Sequence, residues 1–355
     1  MIDRYDYIKI KNKEYAMSKK SLNGLILIGM MLIFGTISLY GQVDQLHGDQ
    51  NYSTYGVHSG NQIRTSFWND GQIGYRNPET QEQVRGEWPI NSGHMYIAKI
   101  SSYFGSEVRC EDGVRRPIVS EANGTRAGQP TEHSSGDASE NGDYWSMCPL
   151  PGFYNENPPP EEADQAWVAM SHKGWSWPYT WPDKMDDPLD PGWHGFWNGY
   201  FGKDESKAAD QESYYVMDDY NNIEFPFYPD STNRNRRGLG LRVTVRGMQW
   251  NHTLVEDVIF WLFDAENIGT HSHEKMGFGI NCGPDIGGDS GDDDGSYDLE
   301  NDLAYQFDGD FYGSTGWYPV GLLGIAFLET PGNHYDGIDN DGDGASGSGS
   351  VLTED

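Results

Sequence analysis

The stretch Leu239 to Trp250, LGLRVTVRGMQW, restricts this chain more than any other feature. Leu239, Leu241, Val243 and Val245 fall on one side of a period of two, with Arg242, Thr244 and Arg246 on the other. That alternation fits a β-strand and no helix. Further short runs follow. Val258 to Phe263, VIFWLF, is apolar on both faces and predicts a central strand. Met276 to Asn281 and Gly321 to Leu328 predict two more, and Ile268 to Glu274 is a polar turn. The loops joining Leu239–Trp250, Val258–Asn267 and Met276–Asn281 are too short for helical crossovers, so these three are expected as neighbouring antiparallel strands.

Upstream, Asn61 to Gly74 alternates around Asn69-Asp70-Gly71, a hairpin turn signal. Met95 to Ile100 and Glu107 to Cys110 read as separate short strands. Gln42 to Gly56 reads as a loose lead-in, and Glu111 to Gly142 as a long loop. Asp143 to Phe201 carries Trp145, Trp167, Trp175, Trp177, Trp181, Trp193 and Trp197 among many Pro and Gly. Proline fixes φ and removes a ladder donor, so this segment is irregular apart from two or three helical turns at Glu161 to Met170. With 45 Gly, 18 Pro and 14% aromatic residues, the expected fold is mainly β. It is an antiparallel β-sandwich with long Gly/Pro/Trp-rich loops and little helix.

Four regions are expected. Residues 1–41 are an upstream extension plus a signal peptide, 42–235 a β-rich and aromatic region, 236–330 the sandwich core, and 331–355 an acidic repeat and Ser/Gly linker. The apolar run Leu25 to Ile37 follows Lys19 and Lys20, with Gly41-Gln42 at the exit, which is the order of a secretory signal. Met17 is well placed as the start, and the mature chain is expected to begin near Gln42. The rival reading, an uncleaved span over Leu22 to Tyr40, is weakened by Asn23, Gly24, Gly29 and Gly35. No membrane span is expected after signal removal.

The net charge of −31 disfavours nucleic acid and anionic lipid as partners. Three cysteines leave two readings open: a Cys110–Cys148 disulfide, or unpaired buried thiols. No nucleophile elbow, P-loop, zinc-protease or dinucleotide motif is present, so the chain is read as non-catalytic. Glu256, Asp257 and Glu266 could supply paired carboxylates, but so acidic a chain pairs acids by chance. His271 and His273 beside Glu274 read as exposed turn residues.

Two acidic segments carry metal chemistry. Pro284 to Asp302 supplies Asp285, Asp289, Asp292 and Asp294 among further acids, which repel one another unless solvated, protonated or bridged by a cation. In Asp336 to Gly344, DGIDNDGDG, the acids Asp336, Asp339, Asp341 and Asp343 include the D-x-D-x-D-G opening of a calcium loop. The closing position of an EF-hand is Ser350, so that loop is not a complete one. Calcium is the expected ion in both.

The sequences GNQIRTSFWNDGQIG, EWPINSGH, ADQESYYVMDD, RRGLGLRVTVRGMQW, EDVIFWLFDAENIG, PDIGG and DGIDNDGDG occur in that order within roughly Gly56 to Gly344. In this combination the chain resembles large, uncharacterised surface proteins of bacteria that use type IX secretion. The resemblance implies β-sandwich domains, acidic calcium-type repeats and an extracellular or outer-surface address. The expected function is that of a structural or adhesive surface protein whose acidic loops bind calcium, with envelope components or extracellular glycans as partners. The alternative is a carbohydrate-binding or glycan-degrading protein that uses its Trp residues as sugar platforms.

Overall fold

In the computed structural model the described residues are 46–74, 84–122, 145–159, 161, 168–185, 192–202 and 208–328. The chain divides into two units, Met1–Gln45 and Leu46–Asp355, and every described residue belongs to the second. The expected signal segment and the Asp336–Gly344 repeat lie outside the described residues.

The strands are β1 (Tyr55–His58), β2 (Thr65–Trp68), β3 (Ile97–Arg109), β4 (Arg115–Glu121), β5 (Cys148–Pro149), β6 (Gln211–Asp218), β7 (Leu241–Gln249), β8 (Phe260–Asn267), β9 (Met276–Pro284), β10 (Asp293–Asp298), β11 (Leu303–Asp308) and β12 (Leu322–Ala326). They form sheets ordered β1-β2, β4-β3-β9, β5-β6-β7-β8 and β10-β11-β12. Every strand pairing is antiparallel. The mainly-β expectation therefore holds.

The inner faces of two sheets meet in one core. Phe104, Val108 and Ile118 from β3 and β4 join Tyr215, Met217, Leu241, Val243 and Val245 from β6 and β7. Leu239, Leu241, Val243 and Val245 are all buried, as the period of two requires. Full burial of such a side chain stabilises by roughly 1.5–3 kcal/mol. The opposite face of β7 is largely covered, with Thr244 half-buried. Arg242 and Arg246 are buried too, and Arg246 Nη1 donates to Glu212 Oε1 at 2.6 Å. The cover is the Gly/Pro/Trp segment. It builds a second core from Leu150, Phe153, Trp181 and Tyr214, with Trp177, Trp193 and Trp197 packed against it. As expected, its described part holds little regular structure beyond β5 and 3-10 turns at Gly174–Ser176 and Pro182–Lys184.

Several expectations need correction. β8 pairs with β7, but β9 crosses to the other sheet and pairs with β3. VIFWLF is therefore not central. β8 is the edge of its sheet; Trp261 and Phe263 pack on the core while Leu262 is exposed. Its apolar outer face mimicked two-sided burial. Ile97–Arg109 is one strand of 13 residues, because Ser101, Ser102 and Ser106, which read as a break, are buried within it. The expected long loop from Glu111 begins with a strand instead. Arg115–Glu121 is an edge strand, where Arg side chains face water and Pro117 costs no ladder bond. The lead-in runs into β1, which starts at Tyr55 and pairs with β2. The acidic segment Pro284–Asp302 contains β10, whose DDGSYD sequence has no apolar alternation and is extended because its backbone pairs with β11.

Other expectations are met or qualified. The Asn69-Asp70-Gly71 turn is present, with Gly71 at φ 92 and Trp68 N–H donating to Gln72 O at 2.7 Å. The strand at Gly321–Leu328 is β12. Of the expected Glu161–Met170 helix, residues 162–167 lie outside the described residues, and Met170 is in an antiparallel bridge to Ser213. β6 carried no strand expectation, yet it is buried along nearly its whole length. Cys110, Cys148 and Cys282 are free thiols, which decides between the two cysteine readings.

Candidate metal centre

The acidic turn is built where β9 leaves its sheet. Arg85 Nη2 holds Asp285 Oδ2 at 2.6 Å, fixing the exit of the chain from Pro284. Ile286 is fully buried and packs with Tyr96, Ile97 and Val320, which pins the next residue. Gly287 and Gly288 then take left-handed φ of 77 and 85, and Gly288 N–H donates to Asp285 O at 3.0 Å. The chain passes Asp289 and Asp292 into β10. β11 returns antiparallel, with Asp293 opposite Asp308 in register. The hairpin thus carries Asp308 back to the turn that holds Asp289 and Asp292.

One carboxylate oxygen from each of Asp289, Asp292 and Asp308 lies within 4.8 Å of the others. Asp289 and Asp292 are exposed; Asp308 is fully buried. Asp308 Oδ1 accepts from Asp310 N–H at 3.0 Å. Its Oδ2 is buried with no hydrogen-bond partner. A buried carboxylate oxygen without a donor or cation is strongly destabilising. Gly287 makes the convergence sterically feasible: a Cβ there would sit 2.7 Å from Asp308 Oδ2 and 3.7 Å from Asp289 Oδ1.

The electrostatics agree with the geometry. Burial raises the Asp308 carboxyl above its usual range; Asp310 and Asp292 add to the rise, and the Phe311 and Asp310 amides oppose it. Burial, then the negative charges of Asp308, Asp285 and Asp292, pushes Asp293 up to about 6 despite the Ile286 amide that bonds its Oδ2. Asp293 Oδ1 is also buried without a partner. The donor set is all oxygen. A hard cation taking about 6–8 oxygens at roughly 2.3–2.6 Å suits it, with water and backbone carbonyls completing the shell.

Of the acids singled out in the sequence, Asp289 and Asp292 are brought together. Asp285 is held by Arg85 instead. Asp294 is exposed, and its Oδ1 accepts from Gly295 N–H at 2.8 Å. Asp336, Asp339, Asp341 and Asp343 lie outside the described residues. Asp308 was missed, because it lies beyond the Asp-rich run and enters only through the strand register. The Asp308-Gly309-Asp310 end of an alternating LAYQFD strand is the signal that could have found it.

The remaining candidates do other things. Asp257 accepts from Trp88 Nε1 at 2.6 Å. His273 Nε2 lies 2.8 Å from Leu239 O, and His271 is exposed. The indoles of Trp177, Trp181 and Trp197 donate inward to Met170 O, Phe196 O and Glu212 Oε2. Trp145 and Trp175 are half-buried, and Trp167 lies outside the described residues. Among the described residues no helix is long and apolar enough to cross a membrane. The chain matches no family model, no curated protein and no solved structure.

Proposed function

We propose that this chain is an exported, non-catalytic structural or adhesive surface protein that uses calcium to lock an acidic hairpin. The observation that carries the reading is the buried, unpartnered Asp308 Oδ2 facing a turn in which Asp289 and Asp292 converge. A divalent cation answers that unpaired charge and the repulsion among the three acids together. The apolar run after Lys19-Lys20 supports export, and the resemblance to surface proteins of type IX secreting bacteria supports the outer address. The inward-bonded indoles support a packing role for that part of the Trp-rich segment rather than sugar platforms.

Thermal unfolding of the full chain, with calcium and with chelator, tests this reading. Binding to the folded form alone stabilises by about 2.7 kcal/mol at one hundred times the dissociation constant. The Asp308→Asn variant should lose the part of that gain that comes from this hairpin. Equal calcium stabilisation of wild type and Asp308→Asn would remove this site from the proposal.

A further inference from the structure

The outer face of the β5-β6-β7-β8 sheet carries a second site, unrelated to the acidic hairpin. Two rungs of the ladder lie side by side there: Tyr214, Arg246 and Leu262 in one, Val216, Thr244 and Asp264 in the next. Loops from the aromatic segment rise on one side and bring Asp183 and Tyr200 to the same place. Together they line an open cleft of about 250 Å³. That is below the roughly 300–1,000 Å³ of sites for drug-sized ligands and gives room for about one sugar ring.

The polar groups of the cleft are held before any ligand arrives. Asp183 Oδ2 accepts from Tyr214 Oη at 2.6 Å, and Asn198 Nδ2 donates to both Asp183 oxygens at 3.0 and 2.9 Å. Arg246 stacks over the Tyr214 ring at 4.0 Å and donates to Glu212 Oε1 and Asn198 O. Such fixed groups lower the ordering cost of binding. Tyr200 is 54% exposed, and its ring meets Phe201 edge-on at 5.1 Å. An aromatic surface left this open on a rigid support offers an apolar face to a ligand.

The chemistry of the lining selects the ligand. In the lining Asp183 and Asp264 outnumber the single Arg246, whose charge is further met by Glu212 behind it, so an anion is repelled. The guanidinium in the floor and the occupied oxygens of Asp183 work against a compact cation. A neutral polyhydroxy ring satisfies both signs, because each hydroxyl donates to a carboxylate and accepts from an arginine or threonine. Its C–H face stacks on the aromatic ring. We infer that the cleft formed by Tyr200, Asp183, Thr244, Arg246 and Asp264 binds a neutral sugar residue of a glycan, without calcium.

Saturation-transfer NMR of the full chain with glucose, galactose and mannose at millimolar concentration tests this, with chelator present. Tyr200→Ala and Asp264→Ala remove exposed side chains and should leave unfolding temperatures near wild type. Tyr179→Ala removes a more exposed aromatic outside the cleft, 81% exposed and stacked on His194. The expected result is saturable binding of at least one of the three sugars. Tyr200→Ala and Asp264→Ala should each weaken it about tenfold, and Tyr179→Ala should leave it unchanged. Three results overturn the inference: no sugar signal from folded protein, binding that survives both cleft substitutions, or a choline probe that binds where the sugars do not. In a parallel sample with calcium in place of chelator, a sugar signal that appears only there would overturn the calcium-free assignment.

Discussion

Asp219 and Asp308 are both buried carboxylates pressed against a left-handed glycine, yet their surroundings differ in kind. A Cβ on Gly238 would lie 2.5 Å from Asp219 Oδ2, and one on Gly287 would lie 2.7 Å from Asp308 Oδ2. Asp219 is given donors. Its Oδ2 accepts from Ser120 Oγ and Leu239 N–H, both at 2.6 Å, and its Oδ1 from Leu241 N–H at 2.8 Å. It ties β4 to the start of β7 and is scaffold. Asp308 has only the Asp310 and Phe311 amides to oppose its charge, an orphan oxygen and two more carboxylates beside it. Asp218 stands between them. Its Oδ1 accepts from Gly48 and Tyr220 amides, its Oδ2 has no partner, and burial pushes it up to about 7 with Asp219 adding to the rise. A buried acid is satisfied by donors, by a proton or by a cation, and these three neighbourhoods differ in which of the three the geometry supplies.

The largest effect expected from this contrast is at Asp219. Asp219→Ala leaves several buried donors without an acceptor and should cost about 3 to 5 kcal/mol in chemical unfolding, the same with or without calcium. A calcium-dependent cost there would erase the distinction between the two acids. Next in size is the calcium gain, about 2.7 kcal/mol at one hundred times the dissociation constant. In chelator, Asp308→Asn should be no less stable than wild type, because it removes a buried charge one of whose oxygens has no partner.

The pH response is smaller and separates the proton case from the cation case. A carboxyl raised from 3.8 to about 7 contributes stability that is full below 3.8 and lost as pH rises through 7. Burial pushes His58 the other way, down to about 3, with the charges of His172 and Lys173 adding to the drop. Its contribution is present above 6.5 and lost as pH falls toward 3. The two oppose each other in wild type. Asp218→Asn removes the first, so its unfolding temperature in chelator should fall more steeply than that of wild type between pH 7 and pH 4. Parallel curves would mean Asp218 is not the titrating group. The smallest effect belongs to exposed acids. Glu107 pairs with Arg115 at 2.9 Å with both side chains more than half exposed, and Glu107→Gln should change stability by less than about 1 kcal/mol.

What the sequence revealed follows from how locally each feature is determined. β7 was legible because one strand holds its whole alternation, and its buried face is as expected. β4 was not, since Arg115, Arg116 and Pro117 are acceptable only on an edge, and edge position is a property of the sheet. The partner of β9 was misread because short loops allow hairpins without compelling them; after β8 the chain changes sheets. The same limit applies to the site. Asp289 and Asp292 stood out as part of a dense acidic run, whereas Asp308 joins them only through the β10–β11 register. The cleft near Tyr200 had no sequence signal, because its floor comes from cross-strand rungs and its wall from a loop that composition marks only as irregular.

A crystal structure of the full chain grown in saturating calcium tests the central claim most directly, since it separates the hairpin from the Asp339–Asp343 repeat. The account predicts a cation with oxygens of Asp289, Asp292 and Asp308 at roughly 2.3–2.6 Å, and Asp308 Oδ2 among them. A hairpin without a cation under those conditions, with Asp308 Oδ2 bonded only to water or to a protein donor, would contradict it.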